Sequence, residues 1–362
     1  MAKPKYKSDR RSGEKRSHPK KVQRDRPPYS EQQRSDGDAQ ATKSKPPAAP
    51  IAERQIFEGA RLAEKTGMVL ENPASDDYAL LDSGSGQKLE RYGKITIVRP
   101  EGQAIWLPKL DKGHWQNADA IFTGDREEEG TGRWKFPKKD LGETWPLKFD
   151  DLSYWGRFTS FRHVGVFPEQ AAHWFALQKA IQHANSPVRM LNLFGYTGIA
   201  SLVGARAGAQ VTHVDASKKA IGWAKENQEM AGLQDKPIRW ICDDAVKFCA
   251  REVRREQSYD IILLDPPAYG RGPKGEVWQL FDHLPHMMDL VRQLQSQNPL
   301  MTVLTSYAIR ASSFALHEIS QEVFAGLDGE IHTGELILKH QDSSRVLSTS
   351  MFSRFVGREC VL

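Results

Sequence analysis

Short apolar runs alternate with helical patterns along the second half of the chain, and this rhythm constrains the fold more than any other feature. The apolar runs predict buried strands at residues 188–194, 210–214, 237–242, 259–264 and 299–305. A helical pattern follows each run, at residues 198–207, 217–231, 244–256, 277–296 and 311–325. Apolar strands separated by helices are typical of a parallel sheet that is covered on both faces. The sequence therefore predicts an α/β fold with a doubly wound sheet.

Two further strand-like runs follow the last predicted helix, at residues 335–339 and 346–355. No convincing helical pattern separates them, and parallel neighbours need such a crossover. We therefore expect an antiparallel pair appended to the sheet. With this pair, the predicted sheet domain spans residues 151–362.

Residues 51–150 have a different character and predict a small β-rich domain. The region opens with a short helical pattern, and from Tyr78 to Pro100 apolar and polar residues alternate between glycine-rich turns, as in hairpins. Its aromatic residues stand among Lys and Arg and include Tyr92, Trp106, Trp115, Trp134 and Trp145. They can form the core of a small sheet, which the usual burial of Trp in strands favours, or a surface on which bases stack. Substrate binding by this domain is a further hypothesis.

Residues 1–50 form a basic segment, with 14 Lys and Arg against 6 Asp and Glu. The rest of the chain carries a formal charge of −3, so the pI of 8.9 reflects this segment. Because it is rich in Pro, Ser and Gln, it lacks the apolar surface needed to fold, and we expect a disordered tail and linker. Its cations can bind phosphates by releasing counterions, or they can serve only as a solvated tail.

The composition, with 39% hydrophobic and 27% charged residues, is that of a globular protein. No apolar stretch approaches the roughly 20 residues of a membrane span, and no secretory signal opens the chain. Three cysteines, Cys242, Cys249 and Cys360, include no CxxC pair, so we expect neither a disulfide framework nor a metal site. We predict a cytoplasmic protein without membrane association.

Glycine or acidic residues follow four consecutive predicted strands. Ligands of open α/β sheets bind outside these strand ends, where the strand order reverses. After the first strand, glycines within residues 192–198 let the backbone approach a ligand, and the next helix points its N-terminal amides at it. Asp215 ends the second strand, where it can accept both hydroxyls of a ribose. Asp243 and Asp244 follow the third, where an adenine amino group would lie, and Asp265 follows the fourth.

Two other interpretations share parts of this pattern. A nicotinamide-binding enzyme has the first two features, but residues 192–198 lack the spacing G-x-G-x-x-G. A single Asp after a strand is also common as a helix N-cap, which is an alternative role for Asp243 and for Asp244.

Three motifs together resemble the class I S-adenosylmethionine-dependent methyltransferases, and most closely the branch that modifies bases of bacterial large-subunit (23S) ribosomal RNA. Asn-Leu-Phe-Gly-Tyr-Thr-Gly at 192–198 is similar to N-x-F-x-Y-T-G of that branch. Asp-Pro-Pro-Ala-Tyr at 265–269 is similar to D-P-P-x-Y, and Gly-Val-Phe-Pro-Glu-Gln at 165–170 to G-x-F-x-x-Q. The resemblance covers about residues 155–357.

The resemblance implies S-adenosyl-L-methionine as the cofactor and a set of residues around it. Asp215 would hold the ribose, Asp244 the adenine, and Gly195 with Gly198 the methionine end. The implied cofactor site comprises Phe167, Gln170, Asn192, Phe194, Gly195, Thr197, Gly198, Asp215, Ser217, Asp243, Asp244 and Asp265. The resemblance also implies RNA as a partner, in the ribosome or in a precursor particle.

The tripeptide Asp265-Pro266-Pro267 is the predicted catalytic element. Methyl transfer from a sulfonium is an in-line displacement, which gains most when the acceptor is aligned and its proton is guided away. The prolines fix the backbone and remove amide donors, so carbonyls near Asp265 can face an amine or a ring edge. Tyr269 can stack on a planar base, and residues 270–275 predict a flexible loop with two cations.

A nitrogen is the favoured acceptor atom. Methylation of carbon 5 of cytosine, a chemistry of the resembling branch, needs a thiolate that attacks the ring, and that branch places the cysteine at the end of the fifth strand. Ser306 stands there in this chain, and neither Cys242 nor Cys249 lies at the matching position. We therefore expect methylation of a base nitrogen in ribosomal RNA. The alternatives are an acceptor in a protein side chain or a small molecule, and a binding module with a degenerate cofactor site.

Overall fold

Strands dominate the computed structural model, which describes residues 53–72, 74–124, 132–138, 141–307 and 310–362. The strands are β1 (Ala63–Asn72), β2 (Tyr78–Gly84), β3 (Gln87–Tyr92), β4 (Ile95–Pro100), β5 (Ala120–Gly124), β6 (Gly132–Lys135), β7 (Thr144–Phe149), β8 (Leu152–Arg157), β9 (Arg189–Leu193), β10 (Gln210–Asp215), β11 (Ile238–Cys242), β12 (Ile261–Leu264), β13 (Tyr269–Arg271), β14 (Val277–Gln279), β15 (Met301–Tyr307), β16 (Gly329–Lys339) and β17 (Val346–Gly357). The basic segment predicted at residues 1–50 lies outside the described residues.

The helices are α1 (Lys112–Gln116), α2 (Ala171–Gln182), α3 (Ile199–Ala207), α4 (Lys218–Met230), α5 (Ala245–Arg254), α6 (Leu280–Gln293) and α7 (Ser313–Val323). None of them, within the part of the chain that the structure describes, is long and apolar enough to cross a membrane.

Eight strands form one sheet in the order β1-β16-β17-β15-β12-β9-β10-β11. Every strand runs in the same direction except β17, which is antiparallel to both of its neighbours. From β9 the chain moves first outward to β10 and β11 and then back to β12 and β15 on the other side. The reversal between β9 and β12 opens a crevice at their carboxyl ends, which is where ligands bind in this architecture.

Helices cover both faces of this sheet because its central strands are apolar on both sides. In β12, Ile261 and Leu263 pack into the core on the side of α2 and α3, whereas Ile262 and Leu264 pack on the side of α5, α6 and α7. The doubly wound sheet and the antiparallel pair β16–β17 are thereby confirmed. β16 begins at Gly329, earlier than the predicted start at residue 335.

The strand β1 was not expected, because the region after residue 51 has a short helical pattern. Its first five residues are exposed, so no apolar alternation marks it as a strand. β1 pairs with β16 in parallel and extends the large sheet at its edge. Gly334 allows this approach, since a Cβ atom at that position would lie 1.8 Å from the carbonyl oxygen of Met68. Pairing with a distant strand, and not local preference, decides the structure here.

The other N-terminal strands form a five-stranded sheet, β2-β3-β4-β5-β6, and a two-stranded ribbon, β7-β8. β2, β3 and β4 are joined by hairpins, as the alternating pattern predicted. Tyr92 and Trp145 are buried in a shared core, which favours the core interpretation of these two aromatic residues. The boundary of the N-terminal domain near residue 150 stays a prediction.

Candidate active site

The loop that follows β9 is held in a tight, partly left-handed conformation. Phe194 and Tyr196 have φ angles of 56° and 50°, a region that residues other than glycine seldom occupy. Gly195 lies between them, where an added Cβ atom would come within 2.4 Å of Cε1 of His213. The loop therefore requires glycine at 195, because its backbone passes directly over the imidazole.

Buried hydrogen bonds support this loop from beneath. Nδ2 of Asn192 donates to Oγ of Ser201 over 2.9 Å, and that oxygen lies 3.0 Å from Nδ1 of His213. Burial lowers the pKa of His213 to about 3, so the imidazole is neutral near pH 7. Asn192, predicted as a cofactor residue, thus also anchors the loop to α3 and β10.

The carboxylate of Asp215 ties the end of β10 to the same loop. Oδ2 accepts a hydrogen bond of 2.9 Å from the backbone N–H of Tyr196, and Oδ1 accepts one of 2.8 Å from that of Ser217. Burial raises the pKa of this carboxyl group, and the two N–H donors oppose the shift. Each carboxylate oxygen can accept more than one hydrogen bond, so Asp215 retains acceptor capacity for ribose hydroxyls.

The two acidic residues after β11 have different contacts. Asp244 is the N-cap of α5, and its Oδ1 accepts a hydrogen bond of 2.9 Å from the backbone N–H of Lys247. Asp243 forms an ion pair with Arg251. The N-cap role considered for Asp244 is therefore present, and binding of adenine by either carboxylate stays a prediction.

A cavity of about 70 Å³, here called the cofactor cavity, lies between the loop after β9, the end of β12 and the segment before α2. The predicted site residues that reach its wall are Phe167, Gln170, Asn192, Phe194, Gly195, Thr197 and Asp265. The remaining predicted cofactor residues do not reach this wall and lie at or after the ends of β9, β10 and β11; they are Gly198, Asp215, Ser217, Asp243 and Asp244. The two groups of residues lie along one edge of the sheet, as a long ligand requires.

Gln170 joins Asp265 to Tyr307 at this site. Nε2 of Gln170 donates to Oδ2 of Asp265 over 3.2 Å and to the hydroxyl oxygen of Tyr307 over 3.1 Å. Burial raises the pKa of Tyr307, so its hydroxyl keeps its proton. Phe167 packs on Tyr307, with ring centroids 5.1 Å apart. These contacts connect the segment before α2 with the ends of β12 and β15.

The indole of Trp278 donates a hydrogen bond to Pro267, the second proline of the predicted catalytic tripeptide. Its Nε1–H donates a hydrogen bond of 2.7 Å to the carbonyl oxygen of Pro267, and its ring lies 4.9 Å from that of Phe194. No described residue donates a hydrogen bond to the carbonyl oxygen of Pro266. Sequence reasoning missed Trp278, because the contact crosses a hairpin and belongs to no motif.

Residues 269–279 form a hairpin, and most of the loop predicted at residues 270–275 lies in its turn. β13 pairs with β14 in antiparallel register, with Tyr269 opposite Gln279. Glu276 fastens the turn, since its Oε1 lies 2.6 Å from Nζ of Lys247 and its Oε2 accepts a hydrogen bond of 2.8 Å from the backbone N–H of Lys274. Tyr269 is 40% exposed, so its ring is accessible for the stacking that remains predicted.

The residues present fit S-adenosylmethionine. Gly195 lines the cofactor cavity, Asp215 offers acceptors to vicinal hydroxyls, and an acidic residue, Asp265, stands at the cavity wall. When bound, this cofactor supplies an electrophilic methyl group on a sulfonium. The role predicted for Asp265, to position an acceptor for that methyl group, stays a prediction.

Comparison with known proteins agrees with this arrangement. A family model described as Conserved hypothetical protein 95 matches residues 173–287. Ribosomal RNA large subunit methyltransferase K of Neisseria meningitidis serogroup B is 23% identical over 252 residues, covering 66% of this chain and 67% of its own. Ribosomal RNA large subunit methyltransferase K/L of Shewanella baltica is 37% identical over 250 residues, covering 63% of this chain. The chain spans only 33% of the length of that K/L relative.

A solved structure gives a much more extensive match. The crystal structure of the S-adenosylmethionine-dependent methyltransferase from Agrobacterium tumefaciens has 55% sequence identity and a TM-score of 0.81, and the match covers 84% of this chain and 98% of that one. Sequence and fold therefore agree over nearly the whole of that protein, and the chain belongs to the S-adenosylmethionine-dependent methyltransferases.

Proposed function

We propose that this methyltransferase acts on a base nitrogen of ribosomal RNA. The observation that carries the proposal is a second cavity of about 830 Å³, here called the acceptor cavity, which shares Phe167 with the cofactor cavity. Its wall contains four cationic residues, Lys88, Arg99, Arg162 and Arg310, against three acidic ones, Glu101, Glu169 and Glu335. Cations beside a cavity of this size suit a nucleotide with its flanking phosphates. The names of the K and K/L relatives support ribosomal RNA as the source.

Both the five-stranded sheet and the large sheet contribute residues to the acceptor cavity. Lys88 and Arg99 come from β3 and β4 of the five-stranded sheet, whereas Tyr307 and Ser350 come from β15 and β17 of the large sheet. A base that enters from a folded RNA must first leave its stack, and enclosure between two sheets suits an extruded nucleotide. This arrangement supports the substrate-binding hypothesis for the N-terminal β-rich domain.

Asp265 and Pro266 are the residues that we assign to the reacting amine or ring nitrogen. The carbonyl oxygen of Pro266 and the carboxylate of Asp265 accept hydrogen bonds from its N–H groups and direct its lone pair away from them. Bound S-adenosylmethionine would supply the methyl group, with sulfur keeping the electron pair of the broken bond, and the nitrogen that gains the methyl group would become acidic. Its proton then passes to Asp265 and on to solvent.

The cysteines support a nitrogen as the acceptor atom. Ser306 lies in the wall of the acceptor cavity, at the strand end where the resembling branch places the cysteine for carbon 5 methylation. None of the three cysteines lines either cavity as far as the described residues define them, and Cys249 is buried, which raises the pKa of its thiol. A nitrogen already carries a lone pair, so it needs no covalent activation. Action on ribosomal RNA is also consistent with the expected cytoplasmic location.

Comparison of ribosomal RNA nucleosides by mass spectrometry, with and without the gene, tests the proposal. We expect one methylated nucleoside to disappear and to return when purified protein and S-adenosylmethionine are added to the undermethylated RNA. The fragment mass shows that the methyl group is on the base and not on the ribose, and co-elution with synthetic nucleoside standards identifies the methylated atom. An unchanged nucleoside profile, together with labelling of an RNA-free extract, would favour a protein or small-molecule acceptor instead. If calorimetry detected no cofactor binding, a degenerate binding module would be the better interpretation.

A further inference from the structure

A buried carboxylate faces the acceptor cavity from the turn that joins the two cavities. Glu169 lies in the short 3-10 turn Pro168–Gln170, between Phe167, which both cavities share, and Gln170, which contacts Asp265. The side chain lines the acceptor cavity, although Glu169 is only 4% exposed. The chain therefore carries a buried carboxyl group one residue away from Gln170, which contacts Asp265.

The neighbouring buried acid shows how such a charge is normally compensated. Glu90 accepts hydrogen bonds from Nε of Arg99 at 2.5 Å and from the hydroxyls of Tyr78 and Tyr92 at 3.0 and 3.1 Å. Burial raises the pKa of Glu90, but Arg99 and Lys88 outweigh this effect and lower the pKa to about 2. Glu90 is thus a structural carboxylate, because side chains of the protein supply its hydrogen bonds and its counter-charge.

Glu169 has no such partners. Within the described ranges, its carboxylate has no side-chain hydrogen bond or ion pair, and it contacts only its own backbone N–H. Nζ of Lys88, a residue that also lines the acceptor cavity, lies 3.1 Å from Oε2 of Glu101. Burial raises the pKa of Glu169, and Lys88 and Arg99 oppose the shift at longer range. A buried carboxyl group whose one donor is its own backbone N–H has acceptor capacity left, which a ligand with N–H groups could use.

We propose that Glu169 accepts hydrogen bonds from the N–H groups of the acceptor base and thereby selects which base enters the acceptor cavity. The inference rests on the proposed function, because it requires a nucleotide acceptor. Phe167 and Tyr307, whose ring centroids lie 5.1 Å apart, line the same cavity, so a planar base held by the carboxylate has aromatic surface within that cavity. Gln170 follows Glu169 directly, which brings a base held there towards Asp265.

The test uses the full chain and undermethylated ribosomal RNA in steady-state assays. Glu169→Gln keeps the size of the side chain but replaces one acceptor oxygen by a donor, whereas Glu169→Asp keeps the charge. We expect kcat/KM for RNA to fall about 10- to 100-fold in Glu169→Gln and less in Glu169→Asp, as for the loss of a hydrogen bond to a charged group. The Kd for S-adenosylmethionine should stay within about twofold of wild type, because Glu169 does not line the cofactor cavity. Glu229→Gln, an exposed change on α4, is the control.

Substrate analogues identify the contact itself. RNA in which the modified base lacks one N–H donor should lose activity with the wild-type enzyme and lose much less with Glu169→Gln, since that variant no longer offers the matching acceptor. Equal losses in both enzymes, or wild-type kcat/KM in Glu169→Gln, would overturn the role of Glu169 and leave the proposed function intact. Failure of the wild-type enzyme to methylate any RNA would instead overturn both. If Glu169→Gln does not fold, Glu169→Ala, which also removes the carboxylate acceptor, carries the same comparison.

Discussion

The side-chain amide of Gln170 donates a hydrogen bond of 3.2 Å to Oδ2 of Asp265. The same nitrogen lies 3.1 Å from the hydroxyl of Tyr307, so one amide connects three separate segments at the site. Gln170 therefore holds the carboxylate of Asp265 in one orientation. Because methyl transfer depends on alignment, the orientation of Asp265 should affect turnover more than binding.

Gln170→Ala should lower kcat about 10- to 100-fold, since a displacement of roughly 1 Å at a reacting group costs up to about a hundredfold in rate. Gln170→Glu should be worse, because it places a second carboxylate beside Asp265 and raises the pKa of the pair. Single-turnover methylation and cofactor binding by calorimetry separate the two effects. Gln234→Ala, an exposed change, is the control. A higher cofactor Kd with normal single-turnover rates would assign Gln170 to cofactor binding alone.

Asp215→Ala should weaken cofactor binding by about 1 to 3 kcal/mol, which is roughly a 5- to 150-fold increase in Kd. The variant loses charge-assisted acceptors for the ribose and also the ties to Tyr196 and Ser217. Calorimetric titration with S-adenosylhomocysteine measures the change. Asp235→Ala, at an exposed position after α4, should bind like wild type. Unchanged affinity in Asp215→Ala would show that the ribose assignment is wrong.

Gly195→Ala and Gly222→Ala should have opposite effects on stability. A methyl group at 195 meets His213 at 2.4 Å, so we expect a loss of about 1 to 3 kcal/mol and much weaker cofactor binding. Gly222 lies within α4 with no atom within 4 Å of an added Cβ, so alanine there should stabilise by about 0.5 to 1 kcal/mol. Urea unfolding of both variants tests this pair. Equal stability of the two variants would contradict the close contact with His213.

Trp278→Phe should lower turnover, because it removes the hydrogen bond of 2.7 Å to the carbonyl oxygen of Pro267. We expect a decrease in kcat of about 5- to 50-fold, equivalent to roughly 1 to 2 kcal/mol for one hydrogen bond. Trp145→Phe is a matched control, since its buried Nε1 has no hydrogen-bond partner within the described part of the chain. If Trp145→Phe had a lower kcat than Trp278→Phe, the hydrogen bond of Trp278 would have no role in turnover.

Deletion of residues 1–45 should leave cofactor binding unchanged and weaken RNA binding. Each phosphate contact that is lost should reduce the slope of log Kd against log salt concentration by about one. Filter binding at several salt concentrations, compared with a variant whose tail Lys and Arg are changed to Gln, measures the effect. Loss of cooperative unfolding after the deletion would contradict the expectation of a disordered tail, and an unchanged salt slope would leave the tail with no role in RNA binding.

Periodicity alone predicted the central architecture, since strands apolar on both faces leave few ways to pack. β9, β10, β11, β12 and β15 and the helices between them lie within a few residues of their predicted positions. The pattern could not predict β1, because an exposed edge strand gains its stability from pairing with β16 and not from its own residues. The hairpin that begins at Tyr269 was likewise missed, because its turn is held by an ion pair between Glu276 and Lys247 of α5, a contact that no local pattern shows.

The same division applies to the site. The glycine loop, the acidic strand ends and the Asp265-Pro266-Pro267 tripeptide are local patterns, so the sequence by itself determined which residues gather at the carboxyl edge of the sheet. Only the tertiary structure decided three further contacts. Gln170 donates a hydrogen bond to Asp265, and Trp278 donates one to the carbonyl oxygen of Pro267. Glu169 lines a cavity between two sheets. These contacts join segments far apart in the chain, and their existence depends on distances that no local pattern encodes.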